Sequence, residues 1–141
     1  MVVAAPLVHV WADQVAYFAL GTNDLAASAL GLDRDDPDAV FDADPLHPGM
    51  IHLIHDVVSQ ARTARRPIAV CGEMAADPLG TVALAVLGVD SLSVPVQRLA
   101  ATRATLSGQN PTELANLRTE LLRQRTATAV RELLKRSAKL E

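Results

Sequence analysis

Residues 15–31, VAYFALGTNDLAASALG, indicate the fold class of this chain. The run 15–20 is apolar without alternation, which is typical of a strand that is covered on both faces. It ends in a polar turn, and Asn23 or Asp24 can cap a helix that runs to about Gly31. A strand that passes directly into a helix is the repeating unit of an α/β fold with a parallel sheet.

The same unit recurs along the chain. Further strands are predicted at 1–4, 68–71 and 91–94. Helices are predicted at 6–13, 49–64, 75–87 with a stop at Gly88, 96–106 and, after a hinge at 107–111, as one helix or two over 112–140. The prediction is therefore a β/α part at 1–106 followed by a helical extension at 107–141.

Composition limits the class of protein. The chain has 141 residues, of which 50% are hydrophobic and 3% aromatic, so one domain with an aliphatic core is expected. A net charge of -3 without a dense basic cluster argues against nucleic acid as the main partner.

The single cysteine, Cys71, fits a reducing cytoplasm. The apolar start lacks the basic residues of a signal peptide, and Pro6 and Asp13 interrupt it well short of the roughly 20 residues of a membrane span. We therefore expect a cytoplasmic protein that does not cross a membrane.

Polar side chains follow the predicted strands where each strand ends. The segments are Gly21–Asp24, Cys71–Met74 and Val94–Pro95. Ligands of parallel α/β folds bind at the carboxyl ends of the strands. We therefore predict that these segments lie together on one side of the sheet, with Cys71 within a side chain's reach of Asn23.

Each candidate residue has a functional and a structural interpretation. Asn23 and Asp24 stand at a helix start, which attracts phosphate, and Asp24 is a hard oxygen ligand for Mg²⁺; either could instead be a helix cap. Arg34 could pair with a phosphate, or with a neighbouring aspartate in a solvated loop. Cys71 could be a proton donor or nucleophile, or a small buried hydrophobe. Glu73 could accept hydrogen bonds in a site, or cap the next helix.

Four segments, taken in order, resemble a known family. They are FALGTNDL (18–25), LGLDRD (30–35), DPLHPGMIHLI (44–54) and CGEMAADP (71–78). The resemblance is to the C-terminal phosphoenolpyruvate-binding domain of enzyme I of the bacterial sugar phosphotransferase system, whose wider family includes pyruvate phosphate dikinase and phosphoenolpyruvate synthase. It implies a (β/α)₈ barrel that binds phosphoenolpyruvate and Mg²⁺ at its C-terminal face.

The resemblance also implies roles for the candidate residues. Asn23 would contact the substrate, and Asp24 would bind Mg²⁺. Glu73, close to Cys71 in the sequence, is grouped with the substrate-binding residues. Arg34 would neutralise phosphate charge. Cys71 would be the acid that protonates the enolate carbon as pyruvate forms.

The chain departs from the family pattern at several positions. Ala26 and Ala27 replace a Thr-Gln pair, the last predicted strand ends in Ser93-Val94-Pro95 rather than Ser-Met-Ser, and the segment MVVAAP offers no glutamate as a second carboxylate ligand. A complete barrel takes about 200 to 250 residues, so only its last strands are expected here. We therefore expect weak or undetectable binding of phosphoenolpyruvate, and an affinity for Mg²⁺ below that of an intact site.

Two hypotheses stay open at this point. The chain is a fragment or truncated homologue of a phosphoenolpyruvate-dependent phosphotransferase, which in the full-length family transfers the phosphoryl group to a histidine and releases pyruvate. Alternatively, it is a non-catalytic degenerate barrel segment that acts as a binding or interaction module. Under either hypothesis the chain alone is expected to be inactive. It is also expected to self-associate or to need a complementing chain, unless its C-terminal helices cover the open face of the sheet.

Overall fold

A parallel sheet of three strands organises the molecule. The computed structural model describes residues 7–29 and 44–138. The strands are β1 (Phe18–Gly21), β2 (Ile68–Cys71) and β3 (Ser91–Ser93), in the order β1-β2-β3. The register pairs Gly21 with Cys71 and Cys71 with Ser93, so the carboxyl ends of all three strands meet at one edge. This arrangement confirms the α/β class; the strand predicted at 1–4 lies outside the described residues.

Helices follow the strands and close the chain. They are α1 (Val8–Trp11) with a 3₁₀ turn (Ala12–Gln14), α2 (Thr22–Ala29), α3 (Pro48–Thr63), α4 (Glu73–Ala76), α5 (Pro78–Leu87), α6 (Val96–Ser107), α7 (Pro111–Leu121) and α8 (Ala127–Ala138). The extension left open as one helix or two is therefore two helices. None of the described helices has the length and apolar character needed to cross a membrane.

The single helix predicted at 75–87 is wrong, because the chain breaks at Asp77. Asp77 has an extended backbone conformation, and its carboxylate accepts a hydrogen bond from the Gly80 amide at 2.8 Å, which caps α5. Pro78 occupies the first turn of α5, where its missing N–H costs nothing. The predicted stop is confirmed, since Gly88 ends α5 with φ 86° in the left-handed region.

The core lies on one face of the sheet. Ile68 and Val70 of β2 are buried together with side chains from α3 and α5. The opposite face carries Ala19, which is exposed, in register with the half-covered Ala69. The expectation that 15–20 is covered on both faces is therefore wrong for the described part of the chain, because the described helices pack on one side only.

The C-terminal helices extend this core instead of covering the open face. Both α7 and α8 contact α5, and their buried side chains join the core cluster: Leu117, Leu121, Val130, Leu133 and Leu134. Two basic residues of the extension have structural partners. Arg118 donates from Nε to the Val86 carbonyl at 2.7 Å, and Arg131 pairs with Asp44 at 2.7 Å. The division of the chain at 106/107 stays a prediction.

Candidate functional site

The ends of β1 and β2 are joined by side-chain hydrogen bonds. The Thr22 hydroxyl donates to the Cys71 carbonyl at 3.1 Å. The Asn23 side-chain oxygen accepts from the Glu73 amide, also at 3.1 Å. The two strand-end segments therefore meet as predicted, with the Asn23 side chain bonded to the residue two positions after Cys71.

Gly72 is the residue that allows this close contact. It has φ 112° and ψ -180°, a conformation that is open essentially to glycine alone. A Cβ at this position would lie 2.5 Å from the Thr22 hydroxyl oxygen and 2.8 Å from the Asn23 side-chain oxygen. Thr22 and Gly72 are not among the site residues predicted from the sequence. A glycine between a strand end and a helix start was the only signal, and it does not identify the partner segment.

Asn23 does not act as a helix cap. It is the second residue of α2, and its oxygen is occupied by an amide from another element. Because a backbone N–H can only donate, the side-chain atom that faces Glu73 is the oxygen. The NH₂ group makes no hydrogen bond within the described part of the chain, so it remains available to donate to an acceptor such as an oxyanion.

Cys71 is exposed at the end of β2. The interpretation of this residue as a small buried hydrophobe is therefore wrong. Its Sγ lies 3.6 Å from the Leu20 carbonyl oxygen, within range of a weak S–H···O hydrogen bond. Glu73 is exposed and is the first residue of α4, while Gly72 holds the capping position, so Glu73 does not cap this helix.

The carboxylate of Asp24 stands in the first turn of α2, where negative charge is favourable. It has an interaction partner. Within residues 7–29 and 44–138, no three His, Cys, Asp or Glu side chains converge on a point that could hold a metal ion. These residues by themselves therefore do not fit a complete Mg²⁺ site. Arg34, the other predicted phosphate ligand, lies outside the described residues.

A cleft of about 850 Å³ opens beside the joined strand ends. Its described lining comes from three segments of the chain: Asn23; Gly72, Glu73, Ala76, Asp77 and Pro78; and Ser93, Val94, Pro95 and Arg98. Cys71 is not among the described lining residues; it is the residue that directly precedes Gly72 of this lining. Arg98, from the first turn of α6, was missed by sequence analysis, since nothing local distinguishes it from the other helix arginines.

Residues 1–110 match the sequence profile of a family described as "PEP-utilising enzyme, PEP-binding domain". The chain belongs to this family. The assignment agrees with the resemblance found in the segments around Asn23 and Cys71, and with their meeting at one edge of the sheet.

Relatives of this PEP-binding domain carry phosphotransferase names. The chain is 38% identical over 130 residues to a multiphosphoryl transfer protein of Xanthomonas campestris pv. campestris. The aligned region covers 92% of this chain and 16% of the relative. This chain is 38% identical over 119 residues to a phosphoenolpyruvate-protein phosphotransferase of Chlamydia trachomatis, and the aligned region covers 84% of this chain and 21% of that relative. A protein of that name from Geobacillus stearothermophilus is 32% identical over 144 residues, and the aligned region covers 99% of this chain and 25% of that relative. The chain thus spans a quarter or less of the length of each of these relatives.

Proposed function

We propose that this chain binds phosphoenolpyruvate at the joined strand ends, as the PEP-binding part of a phosphoenolpyruvate-dependent phosphotransferase. The observation that carries the proposal is the hydrogen bond between the Asn23 side chain and the Glu73 amide. It links the two family motifs at the edge of one cleft. It also leaves the Asn23 NH₂ group as a donor for the oxygens of an anionic substrate.

The proposal assigns each residue a role in the reaction. Asn23 and Arg34 bind substrate oxygens, and Glu73 lies near Asn23 in the cleft lining. When the phosphoryl group leaves for its acceptor, expected to be a histidine, the enolate of pyruvate remains. The Cys71 thiol then gives its proton to the methylene carbon of the enolate, which becomes the methyl group of pyruvate, and a thiolate is left. The exposure of Cys71 supports this role, because a proton donor must reach the reacting carbon.

Mg²⁺ enters the proposal with Asp24 as its one protein ligand. Mg²⁺ is typically held by one or two carboxylates together with substrate phosphates. Since the described residues do not converge into a metal site, we expect its affinity to be lower than that of a site with two carboxylates. No step of the proposed reaction is assigned to the ion.

The proposal also places the sheet in the C-terminal part of a (β/α)₈ barrel. The parallel order of the strands, with the core on one face, supports this placement. The face with Ala19 and Ala69 would then be the inner face of the barrel, completed by a second copy or a complementing chain. A cytoplasmic location belongs to the same proposal and is supported by the single free cysteine, Cys71.

Titration of the ¹⁵N-labelled chain with phosphoenolpyruvate, with and without Mg²⁺, tests the proposal. We expect millimolar affinity, with the largest amide shifts at Gly72 and Glu73. Asn23→Ala should weaken binding about tenfold, because it removes the amide donors and the contact that holds the turn. Asn116→Ala, at an exposed position of α7, is the matched control and should bind like the unsubstituted chain.

Shifts confined to other parts of the molecule, or none at tens of millimolar ligand, would reject the proposed site. Micromolar binding that depends on Mg²⁺ would contradict the expectation of low affinity, and Asp24→Asn should then remove the Mg²⁺ dependence.

A further inference from the structure

The cleft beside the strand ends contains a cation that neither the family motifs nor the candidate residues include. This is Arg98, in the first turn of α6, three positions after Pro95. Among the described lining residues it is the one with a positive charge, whereas Glu73 and Asp77 bring negative charge. An anion that enters this cleft therefore meets unfavourable charge unless the guanidinium group takes part in binding it.

The surroundings of Arg98 leave its guanidinium group available. Its backbone amide donates to the Pro95 carbonyl at 2.8 Å, and the side chain makes no hydrogen bond or ion pair within the described part of the chain. In contrast, Arg62, Arg66 and Arg118 each donate to a backbone carbonyl and so have a structural role. The carboxylate of Asp77 is already engaged as the cap of α5.

The backbone that carries Arg98 is held in place. Pro95 precedes the first residue of α6, and α6 packs against both α4 and α5. Since α4 begins at Glu73 and α5 begins at Pro78, the same two helices form the neighbouring part of the cleft lining. Arg98 therefore starts from a fixed position, and mainly its own side-chain entropy is lost when it binds a ligand.

We propose that Arg98 is an oxyanion-binding residue of this cleft, and that it takes the carboxylate or the phosphoryl group of the substrate while the Asn23 NH₂ group donates to the same ligand. The inference rests on the proposed function. A guanidinium group suits this task, because its planar fork of N–H donors matches two oxygens of a carboxylate or phosphate.

The experiment compares four forms of the full chain: unsubstituted, Arg98→Gln, Arg98→Lys and Arg103→Gln. Arg103 is the matched control, since it is exposed on the same helix and is not part of the described lining. Dissociation constants for phosphoenolpyruvate are measured from the amide shifts of Gly72 and Glu73. We expect Arg98→Gln to weaken binding about tenfold or more, Arg98→Lys to fall between, and Arg103→Gln to change it less than about twofold.

Separate titrations with inorganic phosphate and with pyruvate identify the group that Arg98 binds. The affinity of the ligand that carries this group should fall in Arg98→Gln. Equal affinities of the Arg98→Gln and Arg103→Gln chains for all three ligands would overturn the inference and leave the proposed function standing. Absence of any ligand-induced shift in the unsubstituted chain would overturn both. Because Arg98 is exposed, the unliganded spectra of its variants should match that of the unsubstituted chain.

Discussion

At the scale of single residues, the site depends on the absence of a side chain at position 72. The Thr22 hydroxyl and the Asn23 amide oxygen occupy the space in which a Cβ would stand. These two atoms also make the hydrogen bonds that hold the turn after β2. Glycine is therefore needed at position 72 for two reasons: its backbone conformation is one that other residues rarely adopt, and there is no room for a Cβ.

We expect Gly72→Ala to destabilise the fold by about 1–3 kcal/mol, because the alanine must adopt a glycine-only conformation and displace two bonded oxygens. Urea unfolding followed by circular dichroism measures this change. Gly108→Ala is the matched control, since Gly108 has an ordinary φ of -78° and the nearest atoms to its Cβ would lie at 3.7 Å. It should be neutral or slightly stabilising. Equal stability of the two variants would show that the turn is not constrained as described.

The Thr22 hydroxyl gives a second prediction at this scale. Thr22 is 1% exposed, and its Oγ1–H donates across the sheet edge to Cys71. Thr22→Val keeps the shape of the side chain but leaves the Cys71 carbonyl without this donor, at a cost of about 1 kcal/mol.

Thr105→Val serves as the comparison for Thr22→Val. Its hydroxyl donates to the Ala101 carbonyl within the same helix, so the substitution removes no tertiary contact. We expect a change of less than about 0.5 kcal/mol in the same unfolding experiment. A Thr22→Val chain as stable as the Thr105→Val chain would contradict a role for Thr22 in joining the strand ends.

At the scale of elements, α5 is the centre of the molecule. Seven of its ten residues are buried, because α3 and α6 as well as the two C-terminal helices pack around it. This explains why its sequence, PLGTVALAVL, is nearly free of polar side chains. The amphipathic helix α8 contributes its apolar side chains to this layer, while Lys135 and Arg136 are exposed.

Leu134 tests whether α8 belongs to the core. It is 0% exposed, and Leu134→Ala should lower the free energy of unfolding by about 2–5 kcal/mol through lost burial and the cavity that remains. Leu99→Ala is the control, since Leu99 on α6 is 46% exposed and should cost less than about 1 kcal/mol. If both substitutions had the same small effect, α8 would not be part of the cooperative unit.

At the scale of the whole molecule, the sheet has a covered face and an open face. The open face carries small side chains, among them Ala19, Ala69 and Ser91. In the described part of the chain, β1 and β3 also each have one unpaired edge. Such edges present free N–H and C=O groups that favour pairing with another chain.

We therefore expect the chain to self-associate at micromolar concentration, as measured by light scattering after size-exclusion chromatography. Ala19→Glu should shift it toward the monomer, because it places a charge on the open face. Ala115→Glu, at an exposed position of α7, should leave the association unchanged. A monomeric unsubstituted chain, or equal effects of the two substitutions, would show that the open face is not the contact surface.

Most of the local elements and the candidate residues could be predicted from the order of residues along the chain. Strand β2 was predicted with its observed bounds, and the stop at Gly88 and the polar strand ends were found, because apolar runs and helix signals are properties of neighbouring residues. The break at Asp77-Pro78 was also present in the sequence as a capping residue followed by proline, but the apolar run on either side concealed it.

The segments that meet, and the face of the sheet that stays open, could not be predicted without the three-dimensional packing. The contact of Thr22 with Cys71 spans 49 positions, and it follows from the register of β1 on β2. The place of Arg98 in the cleft follows from the packing of α6 on α4 and α5. Neither leaves a local pattern, because register and helix placement are set by burying apolar surface between segments that are distant in sequence.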